Sequence, residues 1–130
     1  MSENTKKNNT KNDEIIDAEE FAVAEKEAKE SKNVYVHKFA KPFTYEDKTY
    51  EELTFEWDSL TGADSLAIEG EIQALGKVLI TPEFSGEYLI RLAAKACTEK
   101  IGSDVLCAMS LRDYNKIRGK ARSFLMNVAL

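Results

Sequence analysis

The sequence predicts an α+β fold, mainly α, in which an N-terminal β-hairpin is followed by three to four packed helices. Three observations predict it. Apolar and polar residues alternate between Val34 and Asp58, apolar residues recur at helical spacing from Thr61 to the C-terminus, and residues 1–33 have almost nothing to bury. A chain of 130 residues with such a tail holds one modest core, so residues 34–130 read as a single domain, with the hairpin over 34–58 and the helices over 61–130.

Residues 1–33 form the polar tail. Its first dozen residues are mostly Asn, Lys, Thr and Ser, a composition that does not offset the entropy of ordering. From Asp13 to Ser31 strong helix formers take over, with Glu25 and Lys29 at i,i+4 spacing. The apolar residues Ile15, Ile16, Phe21 and Val23 make only a short stripe. The tail is therefore expected to be disordered or a transient, solvated helix.

In the hairpin, Tyr35, His37, Phe39, Phe43 and Tyr45 share one side of the first strand. Leu53, Phe55 and Trp57 alternate with Glu52, Thr54 and Glu56 in the second, across a turn at Glu46-Asp47-Lys48. Pro42 has no amide hydrogen for the ladder, so it is expected at an edge or a bulge that splits the first strand. Thr61-Gly-Ala-Asp64 reads as a capping box with Asp in place of Glu, and opens a helix carrying Leu66, Ile68, Ile72 and Leu75 until Gly76 stops it. Thr81-Pro82 interrupts the chain, and Ser85 caps a second helix with Tyr88, Leu89, Leu92, Ala93 and Ala96 on its stripe, ending near Gly102. A short helix follows from Ser103 to Met109. Ser110 and Asp113 then cap the final helix, whose stripe is Leu111, Tyr114, Ile117, Ala121, Phe124, Leu125 and Val128.

The chemistry of catalysis is not written in this chain. His37 is the sole histidine, and on an aromatic strand face it reads as a packed or edge residue rather than a catalytic base. Cys97 and Cys107 stand in small apolar surroundings, as reduced core thiols do, and with His37 they fall short of the roughly four ligands of a structural zinc site. The six glycines are isolated and make no phosphate-binding loop. The sequence thus assigns no enzymatic activity, no catalytic residue, no metal and no cofactor. No apolar run reaches the roughly twenty residues that span a bilayer, and the first residues lack the apolar core of a secretory signal, so a cytosolic protein is expected.

What the chain does show is charge polarity. Eleven acidic residues between Thr44 and Glu87 face only Lys48 and Lys77, whereas the final helix carries Arg112, Lys116, Arg118, Lys120 and Arg122. Two complementary patches on one molecule allow weak head-to-tail self-association. The residues expected to carry it, or to hold a partner, are these five cations, the apolar end Phe124, Leu125 and Val128, and the acids Glu51, Glu52, Glu56, Glu69 and Glu71. The net charge of -5 disfavours nucleic acid, whose phosphates need an accumulated positive field.

The order of motifs resembles the small tail assembly chaperones of tailed bacteriophages and prophages. The hairpin Tyr45-Glu-Asp-Lys48-Thr-Tyr50-Glu-Glu-Leu53-Thr-Phe55 is followed by Leu60-Thr61-Gly62-x-Asp64. Pro82-Glu-Phe84-Ser85 then precedes an Ala-rich helix, and Leu111-x-Asp113-Tyr114 with Phe124-Leu125 closes the pattern. The resemblance covers Tyr35 to Met126, with Asp47 where that family's hairpin turn carries glycine. It implies a non-enzymatic protein of the host bacterial cytoplasm, absent from the finished virion. Such a protein binds the tape measure protein, keeps it soluble and helps tail tube protein subunits polymerise around it. Two other functions stay open: a phage regulatory or nucleic-acid-binding protein using the basic helix, and a structural tail subunit.

Overall fold

A computed structural model describes residues 18–19 and 33–128, and the compact unit beginning at Asn33 carries all that follows. Apart from Ala18, Glu19 and Asn33, the expected tail lies outside the described residues. The architecture is α+β, an antiparallel hairpin followed by helices.

Strands β1 (Val34–Tyr45) and β2 (Lys48–Glu56) pair in register from Val34 opposite Glu56 to Lys38 opposite Glu52, and again from Phe43 opposite Tyr50 to Tyr45 opposite Lys48. Between these blocks Phe39, Ala40, Lys41 and Pro42 face Glu51 alone. The missing amide hydrogen of Pro42 thus falls where no ladder bond is needed. Glu46 and Asp47 make the turn, and Glu46 takes φ +53°, a left-handed conformation uncommon for any residue with a Cβ.

A 3₁₀ turn at Trp57–Ser59 leads into α1 (Gly62–Ala74). Thr61 accepts from the Asp64 amide at 3.3 Å while the Asp64 carboxylate accepts from the Thr61 amide at 2.8 Å, a complete capping box. Gly76, at φ +75°, turns the chain out of the helix. An irregular segment, Lys77 to Thr81, runs to a second 3₁₀ turn at Pro82–Phe84. Then come α2 (Gly86–Ala96), capped by Ser85, the single turn α3 (Ser103–Cys107), and α4 (Leu111–Val128). At the head of α4 the Ser110 hydroxyl accepts from the Asp113 amide at 3.2 Å.

Helix α2 is the hub. It buries Tyr88, Leu89, Ile90, Leu92, Ala93, Ala94 and Ala96, which leaves only four of its eleven residues outside the core. One side meets Leu53 and Phe55 of the hairpin, Trp57, which lies in the 3₁₀ turn and not in the second strand as expected, and Ile117 and Ala121 of α4; Tyr88 and Leu92 meet Ile68 and Ile72 of α1. Phe55 stacks on Trp57 with ring centroids 5.6 Å apart, and Trp57 on Phe124 at 5.8 Å, so the hairpin and the end of α4 share one aromatic column.

Several expectations need correction. The second helix ends at Ala96, not near Gly102, because Cys97 leaves it to bridge Phe55 and the Thr98 amide donates to the Thr54 carbonyl at 2.8 Å. The sheet edge thereby gains a partner that a longer helix would forfeit. Leu66 and Leu75 are exposed: Leu66 lies about 200° round the helix from Ile68, and Leu75 follows the last turn. Leu111, 71% exposed, is the first residue of α4 and stands about 90° round the helix from the middle of its core seam, on the flank of Arg118 and Arg122. Cys107 is exposed because the one turn of α3 buries only Val105 and Leu106.

Candidate partner-binding surface

The geometry of α4 sorts the predicted cations into two groups. At about 100° per residue, Phe124, Ile117, Val128, Ala121, Tyr114 and Leu125 fall within one arc, and Ile117 and Ala121 at its middle are fully buried. Arg112, Lys116 and Lys120 follow one another at i,i+4 spacing along one flank and are exposed. Arg118 and Arg122 run along the other flank and are half-buried. Lys120 Nζ stands 5.2 Å from the centre of the Tyr35 ring, toward the hairpin, while the Arg122 guanidinium lies 5.7 Å from the centre of the Phe84 ring. The five cations of this helix therefore form two separate rows divided by the core seam.

Phe124 and Leu125 are half-buried and Val128 is exposed. With Trp57, Leu60, Tyr88 and Leu92 they line a mainly apolar groove of about 380 Å³ between the end of α4 and the start of α1, whose wall also includes Asp58, Thr61 and Ser65. A larger cleft of about 600 Å³ beside α2 and α3 carries both signs of charge, Arg91, Lys95 and Lys100 against Glu71 and Asp104, and so selects neither anion nor cation.

Sequence reasoning missed a group of exposed apolar residues close together in the chain. Between the end of α1 and the start of α2, Leu75, Val78, Ile80 and Phe84 all face solvent, Val78 at 84% and Ile80 at 86% exposure. Only Leu79 turns inward, against the cluster of Ile68, Ile72, Tyr88 and Leu92. The signal was present as the run Val78-Leu79-Ile80 between a helix-ending glycine and a proline, too short to declare a helix or a strand. Four large apolar residues exposed within ten positions make this segment a candidate interaction surface.

The acidic residues are dispersed. Glu52 and Glu56 project from β2 on the face opposite Leu53 and Phe55, while Glu51 stands opposite the β1 irregularity. These three and Glu69 on α1 are exposed and have no ion-pair partner among the described residues. Glu71 differs, lying 3.5 Å from both Arg91 and Lys95, so its charge is compensated within the molecule.

His37 is buried, at 3% exposure, and a ring protonated at Nε2 satisfies both of its neighbours. Nε2–H donates to the Asp113 carboxylate at 2.8 Å and Nδ1 accepts from the Tyr35 hydroxyl at 2.8 Å. Asp113 also accepts from the Ser110 hydroxyl at 2.7 Å. Burial alone would raise the Asp113 carboxyl, but the hydrogen bonds from Ser110 and His37, with the nearby Arg112 charge, hold it below its ordinary value of 3.8. Burial first, and the Asp113 charge second, push the Tyr35 hydroxyl up. A phenol so disposed keeps its proton and makes a poor nucleophile. The chain Tyr35–His37–Asp113–Ser110 is better suited to clamping β1 against the head of α4 than to proton transfer. Among the described residues no group of three His, Cys, Asp or Glu side chains is arranged to hold a metal ion, and no helix is long and apolar enough to cross a membrane.

Comparison with known proteins adds no relative: no family model, curated protein or solved structure matches this chain.

Proposed function

We propose that this protein is an assembly chaperone without enzymatic activity, and that its client is an elongated, apolar phage tape measure protein kept soluble while tail tube protein polymerises around it. The observation that carries the reading is the exposure of four large apolar residues in one short segment, Leu75, Val78, Ile80 and Phe84. A small folded protein that leaves such a surface in solvent has a protein partner to cover it. The groove lined by Trp57, Phe124, Leu125 and Val128 offers a second apolar contact. The motif order from Tyr45 to Leu125 is what directs the choice of client.

Weak homo-oligomers belong to the same reading. Arg112, Lys116 and Lys120 on one molecule are complementary to Glu51, Glu52, Glu56 and Glu69 on another. Each exposed pair is worth about 0–1 kcal/mol, so association is weak and lost in high salt. The protein would act in the host bacterial cytoplasm and be absent from the finished virion. Co-expression with the tape measure protein of the same phage is the test. Soluble client that co-purifies with the wild type, and falls into the pellet with Val78→Ser/Ile80→Ser/Phe84→Ser, supports the reading; client equally insoluble with or without the wild type removes it.

A further inference from the structure

We infer that Phe84, Arg118 and Arg122 receive a partner helix that carries carboxylates along the edge of its apolar stripe. The inference rests on the client-binding reading and gives that client a chemistry.

Three observations meet at this place. Phe84 is 63% exposed with the Arg122 guanidinium against its ring, so an apolar surface and a cation are presented side by side. Gly86 lets α4 come close to the head of α2: a Cβ there would meet the Tyr114 hydroxyl at 3.1 Å and Arg118 Nε at 3.9 Å. The Nε atoms of Arg118 and Arg122 are both closed off from solvent, and neither finds an acceptor among the described residues. A desolvated N–H without an acceptor is a cost that a carboxylate removes, because it takes Nε–H and Nη–H of one guanidinium together after a small rotation of the half-exposed side chain.

The acids nearby do not serve this purpose. Glu87 at the head of α2 is engaged by Lys77 and Arg91, whose hydrogen bonds hold its carboxyl below the ordinary range, and Glu83 pairs with neither arginine. Arg118 and Arg122 are thus left with positive charge beside an apolar ring, and the complement is a helix with Glu or Asp at the margin of a Leu- or Ile-type stripe. Nucleic acid fits less well. The net charge of -5 opposes the approach of phosphates.

The test uses the full chain and two labelled helical peptides with the same leucine–alanine stripe, one bordered by glutamate and the other by lysine, with fluorescence anisotropy as the readout. The glutamate peptide is expected to bind about tenfold more tightly at low salt, the scale of one charge-assisted bidentate contact, and the gap should narrow at high salt. Arg118→Glu/Arg122→Glu should reverse the preference, and Arg118→Gln/Arg122→Gln, a milder change read beside circular dichroism, should abolish it. Phe84→Ser should weaken both peptides. Equal binding of the two peptides, binding of neither, a preference that survives the glutamine variant, or tighter binding of duplex DNA overturns the inference. Loss of client recovery with the peptide preference intact removes the chaperone reading alone; client recovered without any peptide preference removes this inference alone.

Discussion

The strand Lys48–Glu56 with the Trp57 that follows it, and the segment Leu75–Phe84, are alike in apolar content and opposite in fate. Leu53, Phe55 and Trp57 are at most 2% exposed, whereas Val78, Ile80 and Phe84 are mostly in water. The difference is one of support. Alternation along β2 aims its apolar residues at the hub helix α2, and the pairing with β1 holds that aim. The other segment has no ladder: Gly76 and Pro82 bracket it, and only Leu79 reaches the core. The lesson is that hydrophobicity proposes burial, while a regular element with a surface opposite it disposes.

The sharpest way to break this comparison is to truncate an aromatic in each region. Trp57→Ala should destabilise the fold by about 3–5 kcal/mol, the scale of emptying a large buried aromatic site, as read from the urea midpoint. Val78→Ser or Ile80→Ser should stay within about 0.5 kcal/mol of wild type in the same titration, as exposed substitutions do. Comparable losses in the two regions would show that Val78 and Ile80 are not solvent-facing.

A smaller effect separates the clamp from the stacked core. His37→Ala leaves Asp113 and Tyr35 without their buried partner, and a loss of about 1–3 kcal/mol is expected. Asp113→Asn should have a pH signature as well. Since the folded-state pKa of Asp113 is depressed, its contribution is fully present above the unfolded value near 3.8 and disappears as pH falls through the lower folded value. Wild type should therefore lose stability in acid below pH 3.8 more steeply than Asp113→Asn. Parallel curves would mean that the carboxylate gains nothing from His37 and Ser110.

The least disruptive probe is thiol labelling. Burial pushes the Cys97 thiol up to about 12, while Cys107 is exposed. Mildly alkaline disulfide-exchange reagent should modify one thiol per native chain, at Cys107, and the second only after denaturant is added. Rapid modification of both would place Cys97 outside the core.

Punctuation and period made much of the fold legible. The alternation from Val34 to Trp57, the capping residues Thr61, Ser85 and Ser110, the stop at Gly76 and the interruption at Pro42 are local signals with local causes, and each appears where its chemistry requires. The candidate surface was only half legible. The cations of α4 could be named but not sorted, because which row faces Phe84 and which faces Tyr35 depends on where the neighbours of the helix lie.

Charge polarity, the helical stripes and the order of elements follow from residue types at fixed spacing, so the chain carries them wherever it is read. Other features required elements distant in sequence to meet: the early end of α2 at Cys97, the exposure of Leu66, Leu111 and Cys107, the clamp from His37 to Asp113, and the enclosed nitrogens of Arg118 and Arg122. A one-dimensional pattern records which side of an element is apolar. Burial and partnership depend in addition on what stands opposite that side, and packing against α2 alone supplies that for most of this molecule.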